Sequence, residues 1–156
     1  MPTATALEPK FADGQNNLGA ALARAGALDE SIGHMQTAVE MYPQSVEYRY
    51  NFGRVLAAKG RFADAAAQFE QAASLTGMRE PAILDMLAAM YAGTGRYQEA
   101  VTTARKALDL ARPQGNAELA ASLRSSLARY ESLARRVGEA GGSVCPTSVT
   151  ASAVPR

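Results

Sequence analysis

At 156 residues the chain is long enough for one domain with a sizeable core and too short to expect two. Sixteen Lys plus Arg against fifteen Asp plus Glu leave a formal charge of +1, which excludes a global field that would draw in nucleic acid or an anionic membrane. About half the residues (47%) are apolar, alanine and leucine dominate and tryptophan is absent, a composition that favours close-packed helices over sheets.

The opening segment Met1–Ala6 has neither a positively charged start nor an apolar run. No stretch of the chain approaches the roughly 18 apolar residues needed to span a bilayer, so a cytoplasmic chain with no membrane partner is expected. Residues 1–11 are expected to be either the end of a preceding structural unit or a disordered lead. Pro9 stands one full unit length before Pro43, which closes the first complete unit. That register suits a piece of a longer array as well as a short protein that begins with a turn.

From residue 12 the chain repeats itself. In the first unit, 12–45, Leu18 and Leu22 share one helical face, Gly26 stops that helix, and Leu28, Ser31, Met35 and Ala38 mark a second helix by their spacing of three or four. The second unit, 46–80, restates this pattern at an offset of 34 with Phe52, Leu56, Gly60, Phe62, Ala65, Phe69 and Ala72. The third, 81–112, follows at 35 with Leu87, Tyr91, Gly95, Tyr97, Ala100, Ala104 and Ala107; the extra residue falls in Gly77-Met78-Arg79-Glu80-Pro81. Gly26, Gly60 and Gly95 stand where the chain must reverse and need a left-handed backbone. Gly19 and Gly53 instead lie inside helices, where glycine costs about 1 kcal/mol relative to alanine. Close approach of the paired helix, at the small residues Ser31 and Ala65, would offset that cost.

The pattern resembles the tetratricopeptide repeat, whose consensus runs large-apolar, Gly or Ala, aromatic or Leu, Gly, Ala, aromatic, Ala, Pro. The first unit matches it with Leu18, Gly19, Leu22, Gly26, Ser31, Met35, Ala38 and Pro43, and the second with Phe52, Gly53, Leu56, Gly60, Ala65, Phe69 and Ala72. Departures are the missing early tryptophan, Ser31 in place of alanine, and the shifted end of the second unit. The resemblance covers about residues 12 to 112 and implies an all-α, right-handed α-solenoid of three antiparallel helix pairs. After Arg112-Pro113-Gln114-Gly115, residues 113–140 are expected to supply a C-terminal capping helix from near Asn116 to about Arg136. Its apolar stripe is Leu119, Leu123, Leu127, Tyr130 and Ala134. Arg124, Arg129, Arg135 and Arg136 on the other face are interleaved with Glu118, Glu131 and Glu139, which reads as a solvated cap and not as a nucleic-acid stripe. Residues 141–156, small and polar, are expected to be disordered.

Catalytic chemistry finds no foothold. His34 has no cysteine or acid cluster around it, Ser31 has no base in a strained turn, and Cys145 is the only cysteine. The acids at Glu30, Asp64 and Glu99 recur at one position of each unit, as helix N-terminal charges do. Neither an enzyme nor a metal or other cofactor is expected. The resemblance instead implies a concave wall made by the first helix of each unit: Asp13, Asn16, Asn17, Ala20 and Arg24; Glu47, Tyr50, Asn51, Arg54 and Ala58; Ala82, Asp85, Met86, Ala89 and Gly93. Among these Asn16, Asn17, Arg24, Tyr50, Asn51, Arg54, Asp85 and Met86 are the candidate contacts to a partner protein or peptide. Of the Lys, Arg and Asn clamp with which chaperone-binding members hold a C-terminal carboxylate, only Asn51 is matched. Asn17 and Asn51, at the same position of successive units, resemble the asparagine ladder of arrays attached to O-linked N-acetylglucosamine transferases, with Met86 breaking it. On that basis Asn51→Ala should weaken peptide binding by about 1–3 kcal/mol and barely change thermal stability. An interaction scaffold is therefore the leading function. The alternative is a substrate-presenting arm of a larger enzyme such as a glycosyltransferase, and a third reading is self-association through Phe11, Leu18 and Leu22 on an open first face.

Overall fold

The computed structural model describes residues 4–142, with side chains from residue 8 onward. Seven helices and no strand make up this part: α1 (Ala4–Arg24), α2 (Leu28–Met41), α3 (Val46–Ala58), α4 (Phe62–Leu75), α5 (Pro81–Gly93), α6 (Tyr97–Ala111) and α7 (Ala117–Gly141). Helices pack pairwise, α1 on α2, α3 on α4 and α5 on α6, with α7 closing the end against α6. The pairs stack through α2 on α3 and α4 on α5, while α1 meets α3 and α5 meets α7 along the other side. The result is a solenoid of helix pairs with a capping helix.

The same local devices build each pair. Gly26, Gly60 and Gly95 have φ of 84°, 80° and 79°, the left-handed geometry expected of them. In the first turn Ala27 N–H bonds Leu22 C=O at 2.9 Å and Gly26 N–H bonds Ala23 C=O at 3.1 Å, so the last carbonyls of α1 are satisfied. The pattern recurs from Arg61 to Leu56 and from Arg96 to Tyr91. Where the second unit carries its extra residue, Gly77 and Met78 are both left-handed, with φ of 62° and 59°. Met78 tolerates this because its side chain packs on the core. Asp29 and Glu30, Asp64, and Glu99 fall in the first turns of α2, α4 and α6, where their negative charge complements the positive end of the helix dipole.

Two boundaries differ from the sequence reading. Helix α1 starts at Ala4 and runs through Pro9, so residues 4–11 are helical and not a disordered lead. Pro9 is the sixth residue of α1, where it lacks the N–H that would bond the Thr5 carbonyl and its ring crowds that carbonyl, yet the helix continues through it. At the other end α7 continues past Arg136 to Gly141. Of the tail expected to be disordered, 141–156, Gly141 belongs to α7, and residues 143–156 lie outside the described residues.

The main apolar core is centred on the fully buried Met35, Phe69, Leu84 and Leu123, and a second, smaller cluster of Ala88, Ala100, Val101, Ala104 and Tyr130 lies toward α7. The intrahelical glycines do what their cost required. A Cβ on Gly19 would lie 2.7 Å from Met35 Cγ, and one on Gly53 would lie 2.9 Å from the Phe69 ring. Ser31, expected as a small facing residue, also donates its hydroxyl to Gly19 C=O at 2.6 Å, tying α2 to α1.

Candidate functional site

The first helix of each pair leaves a polar stripe open to solvent. On α3 it comprises Glu47 and Arg54, exposed, with Tyr50 and Asn51 half-buried. On α5, Ala82 is exposed and Asp85, Met86 and Ala89 are half-buried. On α1, Asp13, Asn17 and Arg24 are exposed, but Asn16 is only 3% exposed. The spacing of three, four and seven residues holds all these positions on one face of each helix.

Between α1 and α3 the stripe deepens into a cleft of about 310 Å³. Arg24, Asn51 and Arg54 line it together, and Ala20, Ala23, Leu28, Met35, Val55 and Ala58 provide an apolar lining. Neither arginine takes part in an ion pair among the described residues. Arg54 stands over the Tyr50 ring, 6.0 Å from its centroid, and that ring in turn meets Phe69 edge-on at 5.7 Å. The site is thus a cationic rim over an apolar lining, with an amide at its edge.

The two asparagines at equivalent positions of successive units differ in setting. Asn51 donates Nδ2–H to Asn16 Oδ1 at 3.1 Å, and Asn17 points away into solvent. The face of α1 that packs inward is set by Ala12, Asn16 and Gly19, all buried, and Asn17 lies about 100° around the helix from that face. Asn16 therefore serves as an internal partner that fixes the Asn51 amide. Tyr50 and Met86 are anchored the same way, as half-buried side chains packed on the core. Asp85 is different. Burial alone pushes its carboxyl above the usual carboxylate range, and it has no ion-pair partner among the described residues.

The floor residues Leu28, Met35 and Val55 were not among the sequence candidates. Their spacing announces core positions, and they reach the cleft as its apolar lining, Met35 and Val55 buried and Leu28 half-buried. His34 is hydrogen-bonded through Nδ1 to Gln15 at 2.7 Å. Among the described residues no group of three or more His, Cys, Asp or Glu could hold a metal ion, and no helix is long and apolar enough to cross a membrane.

Two phenols tie repeats together near this wall. Tyr91 donates to Glu70 at 2.8 Å beneath Arg96, whose guanidinium stands 4.2 Å from the ring centroid. Tyr48 donates to Asp13. Burial first, then these carboxylates, push both phenols from 10.0 up to about 12. Folding raises each value, so their contribution to stability is complete below pH 10 and is lost as pH rises through about 12. The thermal midpoint should accordingly fall between these limits, and Tyr48→Phe with Tyr91→Phe should flatten that fall. An equally steep fall in the double variant would show that other groups cause it.

Comparison with known proteins places this geometry. No curated protein sequence matches the chain. Among solved structures, the type III secretion translocator chaperone SycD of Yersinia enterocolitica superposes with a TM-score of 0.71 at 16% identity, covering 88% of this chain and 90% of that one. PcrH, in complex with the chaperone-binding region of PopD, superposes at 0.69 with 21% identity over 80% and 92%. The first tetratricopeptide domain of Spaghetti (RPAP3), bound to the HSP90 peptide SRMEEVD, gives 0.65 with 17% identity over 83% and 94%. At such identities these likenesses speak for the fold. Two family models, each described as tetratricopeptide repeat, match residues 11–76 and 50–117. Taken with the three helix pairs and their turn glycines, these matches show that the chain belongs to the tetratricopeptide repeat family.

Proposed function

We propose that the protein is an interaction scaffold that holds a segment of a partner protein in the groove along α1, α3 and α5. The observation that carries this is the α1–α3 cleft, where Arg24 and Arg54 have no ion-pair partner among the described residues, beside an apolar lining and a fixed asparagine amide. A guanidinium fork there can take a carboxylate or main-chain carbonyls, the amide can bond a peptide unit, and the lining can accept an apolar side chain. Support also comes from the fold neighbours solved with a peptide or a partner region bound. The partner is to be captured with the intact protein and its bound segment mapped. Arg24→Ala combined with Arg54→Ala should then weaken that segment about tenfold, or roughly 1.4 kcal/mol. Both side chains are exposed, so the unfolding midpoint should stay put. Unchanged affinity would move the site off this groove. A substrate-presenting arm of a larger enzyme would use the same groove; a catalytic domain encoded beside the chain would favour that alternative.

A second reading, self-association, is favoured by the outer face of α1. Phe11 is 55% exposed and Leu18 45%, large values for side chains of that size. Sedimentation across a concentration series should show association that Phe11→Ser with Leu18→Ser abolishes. A monomer throughout would dismiss this reading.

A further inference from the structure

A second cleft, of about 450 Å³, lies at the other end of the α1–α3 seam. Pro9, Met41, Tyr42 and Tyr48 give it apolar and aromatic walls, Asp13 and Glu47 add two carboxylates, and no Lys, Arg or His lines it among the described residues. The two rings meet edge-on at 6.4 Å, with planes 78° apart. The Tyr48 hydroxyl, donated to Asp13, holds that carboxylate at the seam. Glu47 is exposed, and neither acid is engaged in an ion pair among the described residues. The two acids stand at equivalent positions of successive repeats.

We propose that this cleft is a subsite for a basic side chain, arginine before lysine, of the peptide held in the groove; it rests on the groove reading and adds a specificity to it. Charge complementarity selects the occupant: two carboxylates without a cation, framed by tyrosine rings, disfavour an acidic side chain and leave a neutral one without a charged partner. A guanidinium is weakly hydrated and planar, so it lies against a ring face while its N–H fork meets carboxylates. Volume is no obstacle, because clefts of roughly 300–1,000 Å³ hold whole small ligands. Asp13 and Arg24 bracket the α1 edge of the groove, three turns of helix apart. That separation is about 16 Å along a helix, which an extended peptide covers in about five residues. Where Arg24 takes an acidic side chain of the same segment, that residue stands about five positions from the basic one.

The test uses the whole protein and blocked amino acids, and so needs no identified partner. N-acetyl-arginine amide, titrated while backbone amide shifts are followed by NMR, should give saturable changes centred on Asp13 and on Tyr42 to Tyr48. The lysine analogue should bind more weakly, and the glutamine and glutamate analogues should leave these signals in place. Glu47 makes no ion pair among the described residues, so Glu47→Gln keeps the fold, and it should weaken arginine binding about threefold. Equal shifts with glutamine, shifts centred elsewhere, an indifferent Glu47→Gln, or no response up to the solubility limit would each overturn the subsite. The groove reading fails by a different measurement, the partner affinity of the Arg24 and Arg54 variant, so the two failures stay distinguishable.

Discussion

Replacing Gly53 by alanine should lower the unfolding free energy by about 1–3 kcal/mol, although in an open helix the same change would raise it by roughly 0.5–1 kcal/mol. The added methyl would sit 2.9 to 3.1 Å from three atoms of the Phe69 ring. That ring is fully buried and backed by Tyr50 at 5.7 Å, so it cannot swing aside without opening the contact between α3 and α4. Gly33 is the control: it too lies inside a helix, but nothing stands within 4 Å of its absent Cβ. There alanine should stabilise by the ordinary helix-propensity difference. Urea midpoints of the two variants should shift in opposite directions. A Gly53→Ala protein as stable as the parent would mean that the pair is packed more loosely than the contact distances say.

The fold was legible because repetition multiplies weak signals. A single glycine after an apolar stripe is a common helix ending, whereas Gly26, Gly60 and Gly95 in one register leave little else for the chain to do, and all three are left-handed. The intrahelical Gly19 and Gly53 were informative for the opposite reason, as they break a propensity rule and so point to a packing constraint. The start of α1 was less legible. Pro9 and its match to Pro43 suggested a boundary, but α1 runs through Pro9 and buries Ala12 one turn later, so packing of the following turns offsets what the proline costs the helix.

The candidate site was legible to within a turn of helix and no better. The resemblance to the repeat family implied Arg24, Asn51 and Arg54 for the groove side, and these three line one cleft. Period does not state how far one repeat is rotated against the next. A rotation of that kind decides which α1 side chain Asn51 meets, here Asn16, and one residue along a helix swings a side chain by about 100°. The Tyr42 and Tyr48 cleft was invisible for a related reason. Its walls come from α1, the α2–α3 turn and α3, so no single stretch of sequence carries its pattern.

The bond from Asn51 to Asn16 changes what Asn51→Ala should do. Alanine at 51 removes the donor of the 3.1 Å bond to Asn16 Oδ1. Asn16 is 3% exposed, so water cannot replace that donor. As it stands, every buried side-chain nitrogen and oxygen among the described residues has a partner. An oxygen newly orphaned in such an interior costs about 1–3 kcal/mol, and that is the destabilisation expected of Asn51→Ala, in place of the near-neutral outcome that an exposed amide would give. Asn16→Ala should cost as much or more through its cavity, yet the double variant should lose less than the two single losses added together, because the two changes remove one shared interaction. Thermal or chemical unfolding of the four proteins closes the cycle. Strict additivity would show that the amides do not support one another. Binding lost in Asn51→Ala therefore mixes a weakened α1–α3 seam with a missing contact, and affinities for that variant should be compared well below its unfolding midpoint, beside the Arg24 and Arg54 changes that leave the seam intact.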